Sequence, residues 1–400
     1  MPTPGKINKI QQPHPRVLVA PLDWGLGHAT RCIPIIKELL NQKCEITIAA
    51  NGSQMALLRV EFPSLTFVEI PGYDMKFGKN RAFTIFWLTL SIPKILIRIK
   101  REKEWLEKFV NHEKPHLVVS DNRYGLVNPE VFCVFVTHQL LIKTPFGWPG
   151  DRLLQRLNYR LIQKFSQCWV PDIEEDGGLA GGLSHPVKMP HVPVHYIGWL
   201  SRFGGDGEAG RLQGSVGDAE AGRLPGFAHM PAGAGPEDYI LVLLSGPEPQ
   251  RTLLETIILR QAAECLRRLV LIRGLPEGGK SPGGIPQGVV MYDHLPAPEL
   301  ERVIRQASVV IARPGYSTVM DLARMGKNAA LVPTPGQTEQ EYLGRRLAAL
   351  GYAVCIRQQD FSLAKAIVTA ASSSFRKPME QGGERLSAAI QEALRSCCYS

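Results

Sequence analysis

The stretch from Val309 to Gly344, VVIARPGYSTVMDLARMGKNAALVPTPGQTEQEYLG, constrains what this chain can fold into more than any other. An apolar run ending at Ala312 reads as a short buried strand. Arg313-Pro314-Gly315 then turns the chain, because Pro fixes φ and Gly admits conformations other residues avoid. A helix is expected from near Ser317 or Thr318, where a hydroxyl can cap the first free N–H groups, and Gly326 should end it. Ala329 to Val332 predicts a second strand. After Pro333 and Pro335 a polar loop, Gly336-Gln337-Thr338-Glu339-Gln340, leads into another helix. Two strand–loop–helix units in succession put both loops at the carboxyl ends of parallel strands, where open α/β sheets bind ligands.

The same grammar runs through the rest of the chain. Arg16 to Ala20 predicts a strand, followed by a Gly25-Leu26-Gly27-His28 turn and a helix whose Ile33, Ile36, Leu39 and Leu40 share a face. Glu45 to Ala49, a helix around Gln54 to Val60, and Leu65 to Ile70 complete a β-α-β-α-β opening. His116 to Ser120 runs into Asp121-Asn122-Arg123-Tyr124-Gly125, and Val131 to Thr137 into His138-Gln139, so these polar residues should share a sheet edge with His28. Asp151 to Phe165 reads as an amphipathic helix, Cys168 to Pro171 as a strand, and His195 to Gly198 closes the first half. The pattern restarts at Tyr239, with a Ser245-Gly246 loop before a helix through Thr252. Strands at Leu269 to Arg273 and Val289 to Tyr292 and a helix from Pro298 to Gln306 follow. A terminal helix after Pro378 is placed to pack back across the cleft.

The expected fold is therefore α/β, two doubly wound Rossmann-like domains facing across a cleft. Residues 1–200 form the first and 238–400 the second, the acceptor and donor sides of the assignment below. Residues 201–237 form a flexible Gly-rich insert in which GDGEAGRL (205–212) recurs as GDAEAGRL (217–224).

A chain of 400 residues with 44% apolar side chains can build two such cores without staples. Its eight Cys show no CxxC pair and no zinc-like spacing, which fits a reducing cytoplasm and predicts no metal. The opening MPTPGKINKIQQPHPR lacks an apolar core of signal-peptide length, so no export is expected. A formal charge of +9 points to an acidic partner, while the absence of zinc-finger, RNP-like and basic-arm motifs argues against nucleic acid. Residues 82 to 99, AFTIFWLTLSIPKILIRI, hold only about 12 uncharged residues in a row, short of the ~20 a membrane span needs. With Lys76, Lys79, Arg81, Lys94, Arg98, Lys100 and Arg101 around them, they read either as a peripheral contact with an anionic membrane surface through 82–101 or as a core helix followed by an exposed charged one.

GLGHATR in the first half, with SGPEPQR, ARPGYSTVMDLA and PTPGQTEQEY in the second, resembles glycosyltransferases of the GT-B fold. The likeness is to the family-28 group, which includes the peptidoglycan N-acetylglucosaminyltransferase that makes lipid-linked disaccharide. The resemblance implies an inverting, metal-independent transfer of a hexose, N-acetylglucosamine by family likeness, from a UDP-sugar to a lipid-linked or cell-envelope acceptor. That reaction would run without a cofactor, at the inner face of the membrane. Ser245, Gly246 and Arg251, with Gly315, Tyr316, Ser317 and Thr318, would hold the diphosphate at helix N-termini. Asp321, usually Glu in the family, would accept from the ribose diol. Gln340 and Glu341 would read sugar hydroxyls, the second being Gln in the peptidoglycan enzyme. Arg313 is expected to shape its loop.

On the acceptor side, His28 is the candidate base, since an imidazole titrates near neutrality. Asp121 is the alternative base or the group orienting His28. Asp23, Gly27, Arg31, Arg123, His138 and Gln139 are expected to line the acceptor pocket. Two other readings stay open: a UDP-sugar 2-epimerase of the same fold, and a non-catalytic nucleotide-sugar-binding subunit of a membrane complex.

Overall fold

Strand after strand in this chain alternates its side chains between two buried faces, as parallel sheets covered on both sides require. The computed structural model describes residues 14–73, 92–144, 146–203, 239–372 and 383–398. The duplicated segment 204–236 and most of the apolar stretch, residues 82–91, lie outside the described residues.

The first half contains β1 (Arg16–Pro21), α1 (Leu26–Asn41), β2 (Glu45–Ala50), α2 (Gly52–Glu61) and β3 (Thr66–Glu69). It continues with α3 (Ile92–Glu113), β4 (Leu117–Asp121), β5 (Phe132–Val136), α4 (Gly147–Ile162), β6 (Gln167–Val170) and β7 (Val194–Tyr196). Its seven strands lie in the order β3-β2-β1-β4-β5-β6-β7, every pair parallel. Val17 and Val19 face one side of that sheet, Leu18 and Ala20 the other.

The second half contains β8 (Tyr239–Leu243), α5 (Gln250–Ala262), β9 (Arg268–Ile272), β10 (Val289–Tyr292), α6 (Ala297–Gln306), β11 (Val309–Ala312) and α7 (Tyr316–Met325). It ends with β12 (Ala329–Leu331), α8 (Thr338–Ala349), β13 (Val354–Cys355), α9 (Leu363–Ser372) and α10 (Gly383–Cys398). Its six strands are again all parallel, in the order β10-β9-β8-β11-β12-β13. The two-residue β13 and helix α9 add to the elements expected from sequence.

The halves share one apolar cluster. Ala29, Ile33 and Ile36 of α1 belong to the same buried group as Val319, Met320 and Leu322 of α7 and Ile390 and Ala393 of α10. Terminal helix α10 returns to the first half: Glu392 accepts from Gln167 at 3.0 Å, and Arg385 donates to Glu175 at 2.6 Å. Three expectations need correction. Leu40, in the last turn of α1, is exposed and not on the buried face. The charged run after residue 97 is not a separate surface helix: it continues α3, whose Glu102, Leu106 and Val110 are buried against the sheet. Helix α7 starts at Tyr316 with no side-chain cap, because the Ser317 hydroxyl is engaged elsewhere. Gly326 does end α7, in the left-handed conformation at φ 62. No described helix is long and apolar enough to cross a membrane.

Beyond β6 the chain turns around one carboxylate. Asp172, fully buried, accepts from the N–H groups of Ile173, Leu179 and Ala180, the Ser184 hydroxyl and the Trp199 indole, at 2.8 to 3.1 Å. Asp172→Ala strands these donors inside the protein. It is expected to cost about 3–5 kcal/mol, as breaking a buried charged network does. An unfolding free energy from urea titration followed by circular dichroism that differs from the parent by less than ~1 kcal/mol would count against this account.

Candidate active site

In a doubly wound sheet the loops diverge where the strand order reverses, and a crevice opens there. In the first half that point lies between β1 and β4. The register Pro21↔Asp121 and Asp121↔Val136 sets the carboxyl ends of β1, β4 and β5 level. The residues just beyond, Asp23, Arg123 and His138, thus gather on one edge, with His28 in the first turn of α1 above them.

At its centre is a buried ion pair. Arg31, only 2% exposed, donates through Nε to both Asp121 oxygens at 2.8 and 2.9 Å, and Nη2 also reaches Oδ1. Asp121 is fully buried. His28 Nδ1 lies 3.1 Å from Asp121 Oδ2 and 2.9 Å from Arg31 Nη2. On the other flank Arg31 Nη1 donates to His138 Nδ1 at 2.9 Å. Guanidinium nitrogens only donate, so His138 carries its proton on Nε2, which donates to Glu339 Oε1 at 2.7 Å. Gln139 Nε2 donates to the second Glu339 oxygen. A continuous hydrogen-bonded chain therefore runs from His28 in the first half to α8 in the second.

Other contacts close the same seam. Ser317 donates to the Gly27 carbonyl at 2.6 Å, and Thr338 to the Lys143 carbonyl at 2.7 Å. The Tyr316 ring stacks on His138 at 4.2 Å. A Cβ on Gly27 would come within 3.3 Å of Ser317 Oγ, so the glycine permits the close approach.

The structure thus brings His28, Asp121, Arg31, His138, Gln139, Gly27, Tyr316 and Ser317 together. Several side chains sit differently from expectation. Arg31 is an internal cation and Arg123 a fully buried one, the latter holding the Pro21 carbonyl at 2.7 Å and Glu102 at 2.7 Å, so neither lines an open pocket. Arg251 is tied to Glu248, Glu255 and Thr252 and is not free for a phosphate. Glu248, just before α5, also accepts from Thr252 N–H at 3.2 Å, so one N–H of the first turn beyond Ser245 and Gly246 is already met. Asp321 accepts from Ser201 at 2.8 Å and Arg202 at 3.1 Å, which occupy the carboxylate expected to meet a ribose. Gln340 and Glu341 fold back onto their own loop, accepting from Thr334 N–H at 2.8 Å and Gly336 N–H at 3.1 Å. Arg313 does shape its loop, donating to the Val332, Pro333 and Gln250 carbonyls and to Gln358.

By contrast, α7 opens on Gly315 with no capping side chain and no acid in its first turn, so Tyr316, Ser317 and Thr318 offer helix-end N–H groups. Among the described residues no cluster of three or more His, Cys, Asp or Glu could hold a metal. Sequence reasoning missed Glu339 and Arg202. Glu339 sits one residue before the pair singled out, and only its helix register turns it toward His138.

Residues 289–393 match the glycosyltransferase family 28 C-terminal domain. The chain is 24% identical over 324 residues, 79% of each chain, to an uncharacterized glycosyltransferase of Methanosarcina acetivorans. It is 35% identical over 94 residues to a UDP-N-acetylglucosamine–N-acetylmuramyl-(pentapeptide) pyrophosphoryl-undecaprenol N-acetylglucosamine transferase of Desulforudis audaxviator, covering 23% of this chain and 24% of that one. Among solved structures it is similar in fold to the glycosyltransferase of kitacinnamycin, at TM-score 0.59 and 15% identity over 96% of both chains. It is also similar to the glycosyltransferase VinC in complex with DTDP, at TM-score 0.53 and 14% identity over 96% of this chain and all of that one.

The electrostatics of the centre have definite signs. Burial, then Arg31, lowers the His28 pKa below its ordinary 6.5 and outweighs the opposite pull of Asp121. Burial alone would raise the Asp121 carboxyl, but Arg31 and His28 outweigh it and hold it below the usual carboxylate range. Because folded His28 resists protonation, it should cost the fold stability as pH falls below 6.5, where the unfolded chain takes up that proton more readily. An NMR titration of the His28 ring should give a midpoint below 6.5. Asp121→Asn should lower it further, since the raising influence goes and Arg31 remains. A midpoint above 6.5 in the parent would contradict this arrangement.

Proposed function

We propose that this GT-B glycosyltransferase of the family-28 type moves a hexose, with N-acetylglucosamine favoured, from a UDP-sugar to a lipid-linked or cell-envelope acceptor, with inversion and without a metal. The observation that carries the reading is the seam itself: His28, paired with Asp121 at the end of β4, lies in the first turn of α1, and that turn is hydrogen-bonded through Gly27 to the uncapped first turn of α7. A base and an anion-binding helix end thus meet across the cleft.

The chemistry follows from those positions. His28 Nδ1 faces both the Asp121 acceptor and the Arg31 donor; on this reading it keeps its proton toward Asp121, which leaves Nε2 to take the proton of the acceptor hydroxyl as it attacks the anomeric carbon. The departing diphosphate gathers charge, which the free N–H groups and positive end of α7 stabilise. The lowered His28 pKa keeps the imidazole in its basic form at neutral pH. On this reading Asp321 meets the ribose only once Ser201 and Arg202 give way to nucleotide. The local similarity to the peptidoglycan transferase supports N-acetylglucosamine as the sugar.

Two helices support a peripheral membrane site. Leu96 and Ile97 of α3 and Trp148, Leu153 and Leu157 of α4 are exposed. They lie among Lys94, Arg98, Lys100, Arg152, Arg156 and Arg160, with the Arg152 guanidinium 4.9 Å over the Trp148 ring. Exposed apolar side chains with cations close by in sequence suit an anionic lipid surface, where the lipid of such an acceptor resides.

UDP release from a panel of UDP-sugars with a membrane extract as acceptor tests the reading. N-acetylglucosamine donor should be turned over fastest, EDTA should leave the rate unchanged, and His28→Ala should lower kcat by about 10²–10⁴-fold, the range for losing a general base. Turnover that EDTA abolishes, or a His28→Ala enzyme at near parental rate, would sink the mechanism.

A further inference from the structure

An acid in the first turn of a helix commonly answers that helix's own free N–H groups. Glu341 of α8 does so, accepting from Gly336 N–H at 3.1 Å. Glu339, in the same turn, is turned the other way. Both of its oxygens reach across to the first half, Oε1 taking His138 Nε2–H at 2.7 Å and Oε2 the Gln139 amide.

The buried His138 ring has three contacts, and they constrain it differently. The Tyr316 ring, 8° from parallel at 4.2 Å, sets its plane. Within that plane a half-turn about χ2 puts a carbon where each nitrogen stood, and a histidine alone has little preference between the two. Arg31 Nη1, 2.9 Å from Nδ1, and Glu339 at Nε2 choose between them. Two of the three contacts come from the second half of the chain.

Arg31 depends on that choice. Its guanidinium is a planar fork, with Nε and Nη2 held by Asp121 and Nη1 by His138. With the His138 ring turned over, Nη1 faces a ring carbon and loses its acceptor inside the protein, so the fork must move to find another. His28 Nδ1 faces that fork at 2.9 Å and Asp121 at 3.1 Å, so a displaced fork displaces the imidazole. Misplacing a reacting group by about 1 Å can cost about 10²-fold in rate.

We infer that Glu339 is a positioning residue for the transfer: from the second half it holds the His138 ring, the ring holds the Arg31 fork, and the fork holds His28 in line for the acceptor hydroxyl. The inference rests on His28 as the base and names the residue across the seam that aligns it. A seam ion pair that adds only cohesion would leave His28 undisturbed when lost.

The test reads UDP release and the ¹⁵N-histidine spectrum of the full chain at about pH 8, where His28, its pKa lowered below 6.5, is neutral. Of the ten histidines, the ring signals missing in His28→Ala belong to His28. Glu339→Ala should lower kcat about tenfold, leave the donor KM within about twofold and shift the His28 ring signals. Glu339→Gln keeps an oxygen for His138 Nε2–H, so kcat should return to within about threefold of the parent and the His28 signals to their places. His138→Asn puts a side-chain oxygen near where Nδ1 stood, which accepts from Arg31 unaided. On that background Glu339→Ala should change kcat by less than about twofold, because the residue it acts through is gone. Dispersed signals from the remaining histidines report that each variant is folded. Unmoved His28 signals or parental kcat in Glu339→Ala, a Glu339→Gln enzyme as slow as Glu339→Ala, or a loss that persists in full on the His138→Asn background would each overturn the positioning role. So would a change confined to donor KM or donor preference, which makes Glu339 a contact to the sugar. The two readings fail apart. A His28→Ala enzyme at near parental rate removes the base itself, whereas an inactive His28→Ala beside a fully active Glu339→Ala removes the positioning role and keeps the transferase.

Discussion

The Arg31–Asp121 ion pair is the interaction on which the rest of the centre depends. Taking both charges out of water is costly, and the attraction between them offsets that cost only where every remaining donor and acceptor is met. Here the requirement is nearly filled: Asp121 faces Arg31 and His28, and Arg31 faces Asp121 and both imidazoles. The consequence is orientation. A helix-borne guanidinium clamped to the end of β4 fixes how α1 enters the sheet edge, and with it the direction of the His28 ring. Two well-packed apolar residues could hold the helix as firmly, but they could not choose a tautomer for His138.

Because His138 is engaged at both nitrogens, the state of this centre is coupled to how the halves meet. Glu339 and Gln139 are its partners across the seam, and Tyr316 covers its ring face. Separating the halves would return Glu339 to water at little cost but leave His138 with Arg31 as its one tether. Most of the cohesion that resists separation is apolar, since α1, α7 and α10 share a core. The polar chain contributes direction more than strength, as surface-reaching ion pairs generally do. Lowering pH would act on both ends of that chain. Burial would raise the Glu339 carboxyl, yet the neighbouring His138 outweighs it and holds the group below its usual range, so the contact persists until well into the acid range.

The fold was legible because its signals are local: apolar runs with period-two burial, glycine turns, and helices of matching length recur from Arg16 to Gly344. The edge that carries the site followed from the same pattern, which is why Asp121, His138 and His28 were expected together. What was not legible was how each polar side chain is engaged. Arg31 and Asp121 are 90 residues apart, and Glu339 lies 201 residues from His138. Nothing in GLGHATR distinguishes an arginine that lines a pocket from one buried under it. Asp321 illustrates the same limit, since its partners Ser201 and Arg202 come from the end of the first half, 120 and 119 residues away. The α5 loop differs for a local reason: Glu248 takes one N–H of the turn that a phosphate would need, and a proline-rich SGPEPQR gives no hint of which way that carboxylate points.

That failure narrows where a diphosphate can go. Of the two helix ends proposed from sequence to bind it, α5 has its Thr252 N–H already met by Glu248 from the preceding loop, while α7 has neither a capping side chain nor an acid in its first turn. Helix α1 opens on Gly25 in the same bare state. Through Ser317 and Gly27 the first turns of α1 and α7 touch. Each helix end carries roughly half a positive charge. Two such ends brought together repel each other, so the closed seam holds unbalanced positive potential that a negatively charged group relieves. Asp121 answers part of it from below, but its charge is committed to Arg31. An anion arriving between the two helices would therefore be stabilised by both ends at once. Gly27 sits at that contact, where a Cβ would meet Ser317 Oγ at 3.3 Å, so bare backbone is what α1 presents to the α7 end.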